Sequence, residues 1–187
     1  MFNKVLNLSN RKSHIVQNGV DISEIQSFKK LDYKRNKLTS IRALYPNYRI
    51  NELILNRNIS SNKNTGISFL YPFYETSYRE SILKCFNIND VDLGRLNKKN
   101  LYKTLWKSKI VFSVPESDSS PRSVYESIFC GCVIITSPAE WIDDVTECMK
   151  KRIIIADLNK YNWFDNALQR ALEISKIKYN PSKKAYN

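Results

Sequence analysis

Residues 110–114 (IVFSV), 132–136 (CVIIT) and 153–156 (IIIA) carry apolar or small side chains at odd and even positions alike. Successive side chains of a strand point to opposite faces, so strands built this way must be covered on both. A half-solvated antiparallel sheet would read as alternation instead, and an amphipathic bundle would show helical period throughout. Other strand-type runs lie at 4–8, 14–17, 37–43 (KLTSIRA), 65–71 (TGISFLY) and 91–96 (VDLGRL). Segments of helical period separate them. These are 50–56 with Ile50, Leu53 and Ile54 on one stripe, 76–86 with Tyr78, Ile82, Leu83 and Phe86, and 97–108 with Leu101, Leu105 and Trp106 inward, then 121–130, 139–148 and 163–177. Alternation of this kind predicts an α/β fold: a single Rossmann-like domain, its parallel sheet covered by helices on both faces and joined by right-handed crossovers.

The 187 residues match one domain of ordinary composition, 42% hydrophobic and 26% charged, enough to build a core without covalent staples. The expected core spans about residues 13–177, with 178–187 as a tail. Four cysteines show no metal-type spacing, and His14 is the only histidine, which leaves little for a histidine metal site or a Ser-His-Asp triad. His14 lies upstream of the turn at Asn18-Gly19, away from the expected ligand edge, and a structural use is expected for it. The N-terminus lacks a signal-peptide core, and no apolar run approaches the length of a membrane span. A reduced, cytoplasmic protein is expected, with peripheral contact at the inner face of the membrane as a further expectation.

Thirty Lys+Arg against eighteen Asp+Glu leave a formal net charge of +12. Such an excess attracts polyanions, acidic membranes and phosphorylated ligands without choosing among them. The cations come in scattered pairs, as a solvated surface does. No recognised nucleic-acid motif is present, so nucleic acid ranks below the other partners. There is no G-x-G-x-x-G and no P-loop, which argues against the dinucleotide fingerprint and the Walker phosphate loop.

A sheet of this type takes its ligand at the carboxyl ends of the strands, near a switch in strand order. The segment 113–137, SVPESDSSPRSVYESIFCGCVIITS, leaves such a strand end. Ser119 or Ser120 is positioned to cap a helix with Pro121 at its first residue. The free amides and dipole of the first turn then favour an anionic or hydroxyl-rich group. Asp118 precedes the cap and Glu126 lies eight residues on, inside the helix. The spacing places Glu126 with Arg122 and Ser123 on a polar face, away from Val124 and Ile128. Two readings follow. Either the two carboxylates each grip a sugar diol as pure acceptors, or Glu126 merely pairs with Arg122 on an exposed face. Arg42 and Arg49 likewise read either as phosphate ligands or as surface cations. The aromatic stretch FLYPFYETSY at 69–78 reads as core and loop packing, with a sugar or base pocket as the alternative.

The segment from Asp118 through the Gly131 turn resembles the donor-site signature of retaining GT-B glycosyltransferases, especially family 4: an acidic residue, then a glutamate, then a helix-Gly-strand continuation. Other stretches are similar in the same order: NGVDIS at 18–23, SIRALYPNYRINELI at 40–54, and the run from Val91 to Asp118. The likeness covers nearly all of residues 15–175. It implies the C-terminal, donor-binding half of such an enzyme, with no acceptor domain ahead of it. It implies that Asp118 contacts the donor sugar and Glu126 the ribose hydroxyls. Arg42 would hold the diphosphate and stabilise the departing charge. Backbone at Gly94, Arg95 and Leu96 would meet the base, and Ser120, Arg122 and Ser123 would face the sugar or phosphate. The family has a lysine a few residues after the arginine; here Tyr48 and Arg49 occupy that place, with Arg49 as the substitute.

The expected function is therefore transfer of a sugar from a nucleotide-diphosphate sugar to a glycan or lipid-linked acceptor, with retention of configuration and no metal or other cofactor. A separate acceptor-domain chain is an expected partner. The alternative is a catalytically silent binding module or partner subunit, and below it a basic nucleic-acid-binding protein.

Overall fold

The computed structural model describes residues 19–30 and 32–179. The strand-type runs at 4–8 and 14–17, together with His14 and Asn18, lie outside the described residues, as do Leu31 and 180–187. Strands β1 (Lys37–Ser40), β2 (Ser68–Leu70), β3 (Val91–Gly94), β4 (Ser108–Ser113), β5 (Val133–Thr136) and β6 (Ile153–Ile155) form one sheet of order β3-β2-β1-β4-β5-β6. All five pairings are parallel. The order switches direction between β1 and β4, which places the ligand crevice of such a sheet at their carboxyl ends.

The described helices are α1 (Ile22–Ser27), α2 (Ile50–Ile59), α3 (Thr76–Lys84), α4 (Lys98–Lys107), α5 (Arg122–Phe129), α6 (Trp141–Asp144), α7 (Glu147–Lys150) and α8 (Trp163–Lys176), with a 3-10 turn at Pro46–Tyr48. The strands sort their side chains by period two. Ile110, Phe112 and Val114 join one core with Val133 and Ile135, while Val111 and Ile134 join the other. The first core is closed by α2 and α8, where Phe112 stacks on Phe164 at 5.6 Å between centroids. The second is closed by α1, α4, α5 and Trp141 of α6. Each fully buried Ile, Leu or Phe contributes about 1.5–3 kcal/mol by leaving water.

Local chemistry explains where the boundaries differ from expectation. Residues 22–27, given no element above, form a short helix because Asp21 Oδ1 accepts the Glu24 amide at 2.9 Å, an N-cap. The helix expected at 121–130 starts at Arg122. Pro121 itself is the N-cap residue, without a side-chain cap hydrogen bond. The amphipathic piece at 139–148 divides into two short helices, α6 and α7. Of the stripe expected on α3, Ile82 is the fully buried member, with Tyr78 and Phe86 packed against the core.

Arginines hold the remaining ends together. Arg57 and Asp90, both fully buried, form a bidentate pair at 2.7 and 2.5 Å, and Asp90 also accepts the amides of Ile67 and Asn87. This satisfied cluster fastens α2 to the turn that enters β3. At the amino edge of the sheet, Arg35 donates to the carbonyls of Cys130 and Ser108. Gly131 adopts φ +80°, and a Cβ there would lie 2.8 Å from Arg35 Nη1, so the turn between α5 and β5 requires glycine. Burial pushes the Cys132 thiol up to about 11 and the Cys130 thiol well above its ordinary value, so both behave as core groups and not as nucleophiles.

Candidate functional site

The candidate site is a cleft of about 450 Å³ at the carboxyl ends of β1, β2 and β3, closed on one side by α4 and the first turn of α5. Chain topology brings its walls together. β1 runs into Arg42, β2 into Tyr71 and β3 into Arg95 and Leu96, while the loop after β4 delivers Ser123. The loops after β1 and β4 are tied where the Glu116 amide donates to the Asn47 carbonyl at 2.9 Å.

Arg42 is the best-fixed member. Its Nε donates to Ser113 Oγ at 2.6 Å, at the end of β4, and its Nη2 lies 2.5 Å from Asp118 Oδ2. That second contact is a close ion pair rather than an aligned hydrogen bond. The guanidinium also sits 5.7 Å from the centre of the Tyr48 ring. Burial lowers the Arg42 pKa, opposed by Asp118 and Tyr48. Arg42 is 9% exposed and lines the cleft, its Nη1 making no hydrogen bond among the described residues.

Five of the expected residues meet in this cleft: Arg42, Tyr48, Arg95, Leu96 and Ser123. Asp118 stands behind Arg42, its other oxygen accepting the Ser120 amide at 3.3 Å. Gly94, at φ +57°, has its backbone engaged: its amide donates to Asp92 Oδ1 at 3.1 Å and its carbonyl accepts from Tyr71. Of the three residues Gly94, Arg95 and Leu96, the last two line the cleft. The Arg122 amide donates to the Ser120 carbonyl at 3.0 Å, which leaves Ser123 as the first-turn residue at the cleft wall. Arg49 is the αL residue that starts α2 and lies 3.7 Å from Glu52 and 3.9 Å from Glu116, outside the cleft lining.

Glu126 corrects the reading of a polar helix face. It is 6% exposed, and every residue of α5 from Val124 to Phe129 is buried. Its Oε1 accepts from Tyr102 Oη at 3.0 Å and from Arg122 Nε at 3.1 Å. The pair with Arg122 thus exists, but its carboxylate is buried while the arginine is half exposed. Burial, then the Glu126 charge, raises the Tyr102 pKa and keeps its hydroxyl a donor.

Several site residues have no short-range sequence signal. Ser113, Tyr102 and Asp92 act only through partners brought close by the fold. Tyr71 Oη donates to Asp92 Oδ1 at 2.8 Å and accepts from Arg79 Nε at 2.6 Å, while Arg79 Nη2 pairs with Asp92 at 2.5 Å. Burial raises the Tyr71 pKa, and the bonds to Tyr71 and Asp92 raise that of Arg79. The aromatic stretch, read as packing, contributes Tyr71, Pro72 and Phe73 to the cleft lining.

No protein-family model and no curated protein matches the chain. Solved structures do. The glycosyltransferase AviGT4 of avilamycin A biosynthesis superposes with a TM-score of 0.65 at 10% identity, over 87% of this chain and 51% of its own. Anabaena HepE, solved with UDP and glucose, gives 0.62 at 14% identity over 84% and 48%. A putative UDP-N-acetylglucosamine 2-epimerase from Listeria monocytogenes gives 0.54 at 17% identity over 84% and 46%. The chain spans about half the length of each. The shared feature is the fold, a Rossmann-like α/β domain of the GT-B glycosyltransferase type.

Proposed function

We propose that this domain is the donor-binding half of a retaining glycosyltransferase and that its cleft holds a nucleotide-diphosphate sugar. One observation carries the reading: a buried arginine, a helix first turn and two strand-end backbones converge on a single cleft at the switch point. Arg42 Nη1 would face the diphosphate while Nε stays on Ser113, so the guanidinium is positioned before the ligand arrives. Sugar hydroxyls would donate to Asp118, which keeps that carboxylate compensated while Arg42 turns its charge to the phosphates. Arg95 and Leu96 would border the base, with Tyr71 and Phe73 as its apolar wall.

In the transfer itself the bond from the anomeric carbon to the diphosphate oxygen breaks, and its electron pair leaves with the nucleotide. The acceptor oxygen bonds to the same face of that carbon, and its proton passes to the departing phosphate. The protein's part is to orient the sugar and to stabilise the developing negative charge with Arg42 and the α5 first turn, without a metal ion. The acceptor, a glycan or lipid-linked sugar, would be presented by a further domain or a partner chain. HepE, whose solved complex holds UDP and glucose, makes UDP the first nucleotide to try.

Calorimetric titration with UDP, GDP, ADP and their sugar conjugates tests this. One nucleotide should bind selectively, bind equally in EDTA, and lose about tenfold or more in Arg42→Ala, a charged hydrogen bond being worth about 1.5–3 kcal/mol. Silence across the panel, or binding indifferent to Arg42, would sink the proposal.

A further inference from the structure

A second cavity, of about 460 Å³, opens at the amino edge of the sheet, the end opposite the donor cleft. Its position follows from the strands. Arg35 stands two residues before β1, Gly131 two before β5, and Arg152 directly before β6. Lys29, Lys176 and Lys178 complete a ring of five cations, and no carboxylate lines the cavity.

The charge imbalance is a property of the whole chain. All eighteen Asp and Glu residues fall between Asp21 and Glu173, within the described residues. None pairs with Arg35 or Arg152; of the cavity's cations Lys176 has a carboxylate partner, Glu173 at 2.8 Å. Buried cations normally have an anionic partner. Here Arg152, 5% exposed, is held by carbonyls alone: Gly131 at 2.6 Å, Ile177 at 2.9 Å and Ile174 at 3.0 Å. Arg35 is held likewise by Cys130 and Ser108 at 2.6 Å. These carbonyls belong to the C-terminal ends of α4, α5 and α8. Each helix end supplies about half a negative charge, which offsets the two guanidinia in part; Lys176 has Glu173, and Lys29 and Lys178 have no carboxylate partner among the described residues. Burial and the neighbouring Arg35 charge both lower the Arg152 pKa, the sign of a buried cation held beside another.

The walls are also apolar. Trp106 and Phe129 line the cavity, Lys29 Nζ lies 5.3 Å over the Trp106 ring, and Ile177, 67% exposed, stands at the rim between Lys176 and Lys178. Cations framing an exposed aliphatic side chain suit a phosphate attached to a hydrocarbon-bearing group as well as the free ion.

We infer that this amino-edge cavity is a second binding site, for a phosphate-type anion, free or as a lipid headgroup, separate from the donor cleft. Lys29 and Lys178, both exposed, are its accessible cations, and Arg35 and Arg152 add their charge to the lining.

The test uses the full chain, with Lys29→Glu/Lys178→Glu and Arg42→Ala as variants and matched thermal midpoints as the folding control. Inorganic phosphate is titrated at constant ionic strength, and phosphatidylcholine vesicles are co-sedimented with and without phosphatidylglycerol. The wild type and Arg42→Ala should bind alike, and the double reversal should weaken binding about a hundredfold or more, from about 1 kcal/mol per charge near such a surface. Binding of both probes assigns the site to the phosphate group itself, and binding only of phosphatidylglycerol vesicles assigns it to a lipid headgroup. Binding that survives the double reversal, or phosphate binding lost only with Arg42, overturns the inference. So does indifference to both probes, whether or not the chain then retains duplex DNA.

Discussion

At the residue scale the instructive case is Glu126. Its spacing from Arg122 correctly anticipates their contact, yet the inference of an exposed face fails, because α5 is packed between the sheet, α1 and Trp141 from Val124 to Phe129. An i,i+4 pair says that two side chains are neighbours on a helix; it does not say which side of the helix meets water. Tyr102, which supplies the other hydrogen bond, lies twenty-four residues away and has no local signal. Burial changes what a substitution must do. Glu126→Ala leaves the Tyr102 hydroxyl inside the core without its acceptor, which costs about 1–3 kcal/mol. Glu126→Gln keeps an acceptor of the same shape and removes only the charge. Urea unfolding should therefore show Glu126→Ala clearly destabilised and Glu126→Gln much less so. If Glu126 also meets the ligand, both should bind nucleotide more weakly. Equal stability of the alanine variant and the wild type would contradict the buried assignment.

At the scale of elements, the strands were legible because burial on both faces leaves no alternative for runs such as VIIT. The helices were legible in position and less so in extent, since caps decide ends. Pro121 serves as N-cap residue of α5, and the Asp21 cap nucleates a helix too short for periodicity to reveal. What the pattern could not contain is the fastening between distant elements. Asp165, in the first turn of α8, accepts from Asn62 Nδ2 at 2.7 Å and from the Ser61 amide at 3.0 Å, more than a hundred residues back. Burial works to raise its pKa, but the hydrogen bonds from Asn62, Ser61 and Ser60 outweigh it and the net direction is down. A depressed carboxylate contributes stability above its unfolded pKa, near 3.9, and loses it as pH falls through the folded value. The gap in melting temperature between wild type and Asp165→Asn should accordingly be full at neutral pH and shrink below about pH 4. A gap that stays constant to pH 2 would mean that the carboxylate charge plays no part in holding the 60–65 loop.

At the scale of the whole molecule, net charge gave a magnitude without a direction, because composition does not know which end of a sheet a lysine will reach. The fold supplies the direction. The cleft at the carboxyl ends is lined by Arg42, Arg95 and Lys98, with Asp118 paired to Arg42 and Glu24 to Lys98, whereas the amino-edge cavity is lined by five cations and no acid. The two ends are separated by strands of up to six residues, roughly 20 Å at 3.3 Å per residue. That distance exceeds the Debye length of about 8 Å at physiological ionic strength and falls below the length of about 30 Å in 0.01 M salt. Reversing Lys29 and Lys178 should therefore leave nucleotide affinity in the cleft unchanged near 0.15 M salt, as independent sites require. In 0.01 M salt the same variant should bind nucleotide more weakly, because a molecule of net charge +12 loses part of its long-range pull on an anion. Calorimetric titration at the two salt concentrations separates field from contact. A loss of equal size at both would mean that the lysines touch the nucleotide, and the two sites would then be one.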